Sequence, residues 1–175
     1  MENTQKEKRS KHQNNRLINT KPFYTMQIVK ATEQSRDEIK SLLQSQNLPT
    51  EDLPNVLTDF YAAVDAGKLI GLIGMERYGH YGLLRSMVVH PDHRNKRIAE
   101  TLVTQLEQEA KSSGITEMYL LTETADKYFS KKSYSTITRD AVPAELKGSS
   151  EFSHVCPVSA IVRKKQLERQ PETVS

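Results

Sequence analysis

The sequence predicts a mixed α/β fold built on one central sheet, and two observations carry that reading. Short apolar runs of strand length alternate with segments whose apolar residues recur at helical spacing. The longest amphipathic segment also joins two strand-like runs, Leu83 to Val89 and Glu117 to Thr122, as a helical crossover between parallel neighbours requires. At 175 residues the chain is long enough for one domain with a substantial core and no covalent staples.

Met26 to Ala31 reads as the first strand. A helix follows from about Gln34 to Gln46, with Ile39, Leu42 and Leu43 on one side. Asn47 to Pro54 contains two prolines and reads as a loop or a short helical turn. Phe60 to Asp65 and Leu69 to Tyr78 are strands around Ala66-Gly67-Lys68, a hairpin signal. Gly79-His80-Tyr81-Gly82 turns the chain into the long strand Leu83 to Val89. The helix Arg97 to Ser113 puts Ile98, Leu102, Val103, Leu106 and Ala110 on one face, and Gly114 stops it. Glu117 to Thr122 is an apolar strand, and Ala125 to Lys132 is a short helix. Tyr134 to Thr138 and Ser159 to Arg163 are strands, linked by a segment, Arg139 to Val158, that includes a helical turn. The resulting order is β-α-β-β-β-α-β-α-β-β, with no internal repeat.

The formal charge of +3 is unevenly spread. Residues 1–22 hold six Lys and Arg against two Glu, a net of +4, which leaves 19 against 20 in the remainder. The first 22 residues therefore read as a basic, disordered tail. A solvated extension explains it more simply than contact with RNA or acidic lipid, so no nucleic-acid partner is expected. Residues 26–164 form the expected domain, and 165–175 a polar C-terminal tail. The single cysteine, Cys156, excludes an intramolecular disulfide framework. No signal-like apolar region or membrane-length run is present, which leads to the expectation of a cytoplasmic protein without a membrane partner.

The stretch Leu83 to Leu106 carries the chemistry. It reads as a strand, a tight loop bearing Arg94, and a helix that starts at the loop's end. Such a helix start offers backbone N–H groups without intrahelical partners, together with the positive end of the helix dipole. A phosphate fits there. The sequence Val89-His90-Pro91, then Arg94-Asn95-Lys96-Arg97-Ile98-Ala99, resembles motif A of the GNAT superfamily of N-acetyltransferases. Its pattern is a valine-x-proline strand end before arginine-x-x-glycine-x-glycine/alanine. Arg94 and Ala99 match, whereas Arg97 stands at a position that is usually glycine.

The resemblance covers roughly residues 26 to 164 and implies a GNAT fold with splayed central parallel strands. It implies acetyl-CoA as co-substrate, with its pyrophosphate on the amides of Arg94, Asn95, Lys96, Arg97, Ile98 and Ala99. The thioester carbonyl would be held by backbone amides at Met87 and Val89. The run LLTETADKYFSKKSYSTITRDAVPAEL resembles the acetyltransferase domain of N-acetylglutamate synthases. With LLRSMVVHP and EFSHVCPVSA, the chain looks closer to small arsenic-resistance-associated N-acetyltransferases. These resemblances imply a small amino-acid-like acceptor, attacked directly in a ternary complex. Protein N-terminal or lysine acetylation, and a non-catalytic acyl-CoA-binding module, are the alternatives.

The attacking amine must be neutral, so a weak base suffices. Glu76 is the first candidate and Glu123 the second, each against the alternative of a solvated carboxylate. In the family, a tyrosine after the fifth strand protonates the leaving thiolate. Phe129 occupies that position here, leaving the adjacent Tyr128 as a weak candidate. Arg85 lies in an apolar strand and costs too much to bury unpaired. It meets either an internal carboxylate or, with Ser86, the carboxylate of a substrate. Cys156 reads as a small buried hydrophobe. His90 and His93 belong to the turn, with no third ligand in view, and no metal is expected. A homodimer is left open.

Overall fold

The computed structural model describes residues 26–167. The basic tail expected at 1–22 lies outside the described residues, as does most of the polar run at the other end. A seven-stranded sheet has the order β1-β2-β3-β4-β5-β7-β6. Its strands are β1 (Gln27–Lys30), β2 (Phe60–Asp65), β3 (Lys68–Tyr78), β4 (Tyr81–Val89), β5 (Glu117–Thr122), β6 (Ser135–Ile137) and β7 (Ile161–Gln166). All neighbours are antiparallel except β4 and β5. These two are joined through α2 (Ile98–Ser112), the crossover expected from the sequence.

Each face of the sheet is covered by a different set of elements. On α2, Ile98, Leu102, Val103, Leu106 and Ala110 are all buried, against Ile73, Met75, Leu84, Met118 and Leu120 of the sheet. The opposite face is split into two apolar patches. On one, α1 (Arg36–Ser45) presses Ile39, Leu42 and Leu43 against Phe60, Leu72 and Val88. On the other, Val142 and Leu146 of the segment before β7 cover Leu83, Tyr119 and Val162; this segment includes α4 (Ala144–Lys147). The charged residue Arg85 sits on β4 between these patches, 3 % exposed.

Strand ends differ from expectation where backbone pairing outweighs side-chain polarity. The hairpin turn is Ala66-Gly67, both at positive φ (48° and 76°), and Lys68 already belongs to β3. Tyr81 and Gly82 are not turn residues, because Tyr81 pairs with Tyr78 and opens β4. Residue 165, expected in a tail, lies within β7, which runs past Arg163 to Gln166. Lys164 and Lys165 keep their stems on the sheet and pair with Glu117 and Glu107, at 2.9 and 2.7 Å. Leu167 is buried, and its N–H donates to Thr116.

One glycine is required by packing. Gly74 faces Phe60 across β2 and β3, and a Cβ there would overlap the Phe60 ring. Gly74 also lies opposite Arg85 on β4, so the ring is held beside the site's charged residue. Gly74→Ala should lower stability by about 1–3 kcal/mol, the usual cost of overpacking. A thermal midpoint unchanged from wild type would refute this packing role.

Candidate active site

The site begins where two parallel strands separate. β4 and β5 pair through Tyr81–Glu117, Gly82–Met118 and Leu83–Tyr119, and then diverge. Just beyond, β4 carries a bulge. Leu72 of β3 faces Val88 whereas Gly74 faces Arg85, so β4 has one extra residue, and Ser86 takes φ 56°. The bulge sets the direction of the amides that follow. His90 N–H points to β3, where it donates to Ile70 at 2.8 Å. Alternation along the strand then turns the N–H groups of Met87 and Val89 the other way, into the split. These are the two positions expected to hold a carbonyl oxygen. An amide pair of this kind can stabilise negative charge developing on a bound oxygen.

Below the split lies the loop from His90 to Arg97, expected to hold a phosphate. A 3-10 turn, Pro91–His93, is fixed by the His90 ring accepting from the Asp92 N–H at 3.3 Å. His90 and His93 are thus turn residues, and among the described residues no group of three or more His, Cys, Asp or Glu could hold a metal ion. Asn95 and Arg97 both adopt left-handed backbone, at φ 61° and 60°. That geometry explains why glycine suits the Arg97 position. It also aims successive amides into one concavity. None of the N–H groups from Asn95 to Glu100 donates to another group among the described residues. Arg97 extends outward to Glu100 at 2.7 Å, so its side chain leaves the concavity open. Lys132 also reaches Glu100, at 2.6 Å. Arg94 bridges to Gln46 at the end of α1, at 2.6 Å.

A cavity of about 680 Å³ runs from this loop to the split, lined by Met87, Val89, Arg94, Asn95, Arg97, Ile98, Ala99 and Tyr128 among others. Of the residues assigned to phosphate and carbonyl binding, only Lys96 is not part of its wall. Tyr128 lies on α3 (Asp126–Ser130), and its hydroxyl is buried with no hydrogen-bond partner among the described residues. Burial, followed by the charges of Glu100 and Glu107, pushes this phenol up to about 12. A buried, unsatisfied hydroxyl is costly, so a ligand group in the cavity suits it. The open amides, the unpartnered hydroxyl and the volume together fit acetyl-CoA. Phe129, at the position of the family's tyrosine, is buried and carries no hydroxyl.

A second cavity, about 540 Å³, adjoins the first and shares Gln46, Leu48, Met87, Thr124 and Ala125 with it. Its floor contains Arg85, Ser86, Glu151 and Cys156. Here one expectation needs correction, and one open alternative is decided. Arg85 is not free to read a substrate carboxylate, because its guanidinium already faces three carboxylates of the protein. Asp52 lies at 2.7 Å, Glu76 is in direct contact, and Glu151 is at 3.7 Å. Glu76 is not available as a base. One oxygen bonds Arg85, the other accepts from Tyr78 at 2.6 Å, and the side chain is not part of the cavity wall. Glu123 stands at the exposed rim, accepting from Ser159 at 3.3 Å. Ser86 joins the cluster as a partner of Arg85 Nε, at 3.3 Å.

Asp52 and Glu151 were not identified from the sequence. Burial would raise the Asp52 carboxyl, but the hydrogen bond and charge of Arg85, with Ser150, carry it below its ordinary value. Glu151 moves the other way. Burial pushes it up to about 7, and the opposing charge of Arg85 does not restore it. Burial, with Glu151 beside it, likewise pushes the Cys156 thiol up to about 12. The Glu151 shift has a sign that can be measured. A carboxyl raised in the folded state binds protons more tightly than when unfolded, so its contribution weakens as pH rises from 4.5 through about 7. The loss is roughly 3 kcal/mol when ionisation is complete. Glu151→Gln should therefore gain stability relative to wild type between about pH 5 and pH 8. Parallel thermal midpoints for the two proteins across that range would contradict the assignment.

Comparison with known proteins agrees with this fold. Residues 24–134 match the acetyltransferase (GNAT) family. No curated protein is significantly similar to the chain. Among solved structures, N-acetylglutamate synthase from Neisseria gonorrhoeae, complexed with coenzyme A and L-arginine, superposes with a TM-score of 0.71 at 17 % identity. The match covers 82 % of this chain but only 34 % of that one, so the chain spans about a third of the synthase's length. An acetyltransferase of the GNAT family from Staphylococcus aureus gives 0.66 at 20 % identity, covering 82 % of this chain and 100 % of the other. The PaiA N-acetyltransferase from Thermoplasma acidophilum, in complex with coenzyme A, gives 0.62 at 17 %, covering 81 % and 99 %. At these identities the likeness is one of fold, whereas the family match takes in well over half of the sequence. This chain belongs to the GNAT family of acetyltransferases.

Proposed function

We propose that this protein transfers the acetyl group of acetyl-CoA directly to the primary amine of a small molecule, within a ternary complex. The observation that carries the reading is the meeting of two cavities at Met87. One fits a phosphate-bearing thioester and the other has room for a small acceptor, so the attacking nitrogen and the carbonyl carbon are brought together at the split. Alignment of this kind supplies much of the barrier reduction in an acyl transfer. The Met87 and Val89 amides hold the carbonyl oxygen. Arg94 to Ala99 hold the diphosphate, and the Tyr128 hydroxyl gives a hydrogen bond to the departing sulfur while keeping its own proton.

The acceptor's charge follows from the cavity floor. An amino-acid-like acceptor was suggested by resemblance and by Arg85 as its carboxylate reader. With that guanidinium occupied by Asp52 and Glu76, a substrate carboxylate entering the floor would meet net negative charge. A protonated amine without a neighbouring carboxylate suits it better. The cavity's volume of about 540 Å³ favours a small molecule over a protein chain.

Two measurements test this. Titration of coenzyme A into the protein should release heat with one-to-one stoichiometry, and free coenzyme A should appear when acetyl-CoA is mixed with a suitable amine. Simple alkyl amines and diamines should be turned over faster than α-amino acids; the reverse order would refute the charge argument. Binding without turnover on any amine would favour a non-catalytic acyl-CoA module. Arg97→Gly should retain coenzyme A affinity, because the backbone amide remains, and should raise stability by roughly 0.5 kcal/mol through relief of the left-handed conformation. A large loss of affinity would mean that the Arg97 side chain, rather than its amide, holds the ligand.

A further inference from the structure

The floor of the acceptor cavity contains a charge imbalance that the fold does not resolve. Three carboxylates, Asp52, Glu76 and Glu151, surround one guanidinium. The two terminal nitrogens of Arg85 serve Asp52 and Glu76, while its Nε lies 3.3 Å from Ser86 Oγ and 3.7 Å from Glu151 Oε1. Glu151 receives no N–H or O–H hydrogen bond on either side-chain oxygen among the described residues. Only the Cys156 thiol reaches it, at 3.5 Å. Yet Glu151 is 8 % exposed and forms part of the cavity wall. An ionised carboxylate buried in that state is expensive unless a proton or a cation joins it.

We infer that Glu151 is the group that the acceptor's ammonium pairs with, and the base to which that ammonium passes its proton. The inference rests on the acetyl-transfer reading above and extends it to the acceptor's charge state and to a residue that meets it. Position supports it first. Ser86 of the bulge and Glu151 share the same Arg85 nitrogen, so the carboxylate lies one side chain away from the strand segment whose Met87 and Val89 amides face the carbonyl. Local structure adds to this. Glu151 opens a single π-helical turn, Glu151–Val155, a rare geometry that often marks functional sites.

The groups facing Glu151 come from each surrounding element. They are Arg85 from β4, Glu76 from β3, Asp52 from the loop after α1, and Cys156 from its own segment. Burial, reinforced by Asp52 and Glu76 and opposed by Arg85 and the Cys156 thiol, brings the carboxyl to about 7. A base of that strength is half ionised near neutrality, where proton transfer to and from it is efficient.

The steps balance without another reagent. An arriving alkyl ammonium pairs with ionised Glu151. It gives one of its three nitrogen-bound protons to the carboxylate, and the neutral nitrogen forms a bond to the acetyl carbon. The carbon–sulfur bond breaks, and the second proton passes from nitrogen to the departing sulfur. The third stays on the amide. Glu151 then returns its proton to solvent.

The test compares wild type with Glu151→Gln using butylamine and hydroxylamine as probes, the latter already neutral at pH 7. With butylamine, wild-type kcat/KM should rise through an ionisation near neutrality, and the variant should lose this ionisation together with roughly 100-fold or more in rate. Hydroxylamine should be acetylated by both proteins at similar rates, and coenzyme A should bind both equally. A variant that keeps the ionisation, or that loses both nucleophiles equally, overturns the assignment; the second result would indicate a structural role. A second readout needs no turnover. Carbon-13 NMR of labelled glutamate should show the Glu151 carboxyl titrating near neutrality and shifting to lower pH when butylamine is added. An ordinary carboxylate titration, or no response to the amine, overturns the assignment even if no probe is acetylated. Absence of turnover with every probe, beside the expected NMR response, would instead count against the acetyl-transfer reading.

Discussion

Once β5 leaves β4 after Leu83, the N–H groups of Met87 and Val89 need acceptors that the sheet no longer supplies. That requirement organises the site. Parallel pairing ends at Leu83, although Leu84 of β4 and Leu120 of β5 both stay under α2. Beyond that point β4 bulges at Ser86 and keeps its pairing with β3. The wedge opened between them is continuous with the start of α2, where further amides are unpaired for a different reason, the geometry of a helix beginning. One ligand that is polar at both places can therefore satisfy both sets.

Arg85 imposes the second constraint. A guanidinium between two apolar patches must be paired, and pairing recruits Asp52, Glu76 and Glu151 from segments remote in sequence. Buried ion clusters add little net stability compared with apolar packing, so their value lies in the arrangement they specify. This one ties the loop after α1 and the segment before β7 to β4. It fixes the position of both walls of the second cavity relative to the bulge.

Much of this was legible in the chain. The helical face of α2, the crossover to β5 and the loop from Arg94 to Ala99 all rest on local periodicity and a short motif, which survive without tertiary information. The αL conformation of Arg97 is less obvious, but the glycine usual at that position signals it. The residues around Arg85 were not legible. Its burial implied a carboxylate, and nothing in the spacing of Asp52, Glu76 or Glu151 said which one, because their meeting depends on long-range packing. Glu76 is close to Arg85 in space for a simple reason, adjacent antiparallel strands, yet that same closeness removes it from the base role it was expected to play. Likewise Lys164 and Lys165 disguise a β7 strand, since their charges are neutralised across the surface by Glu117 and Glu107.

Cys156 illustrates a wider effect of the acidic floor. Its sulfur sits beside Glu151, and burial and that neighbouring charge both keep the proton on it. Alkylating agents and peroxides act on the anionic form of a thiol, so this one is chemically quiet although it lies within reach of small molecules entering the cleft. An acidic floor thereby shields its own sulfur from electrophiles.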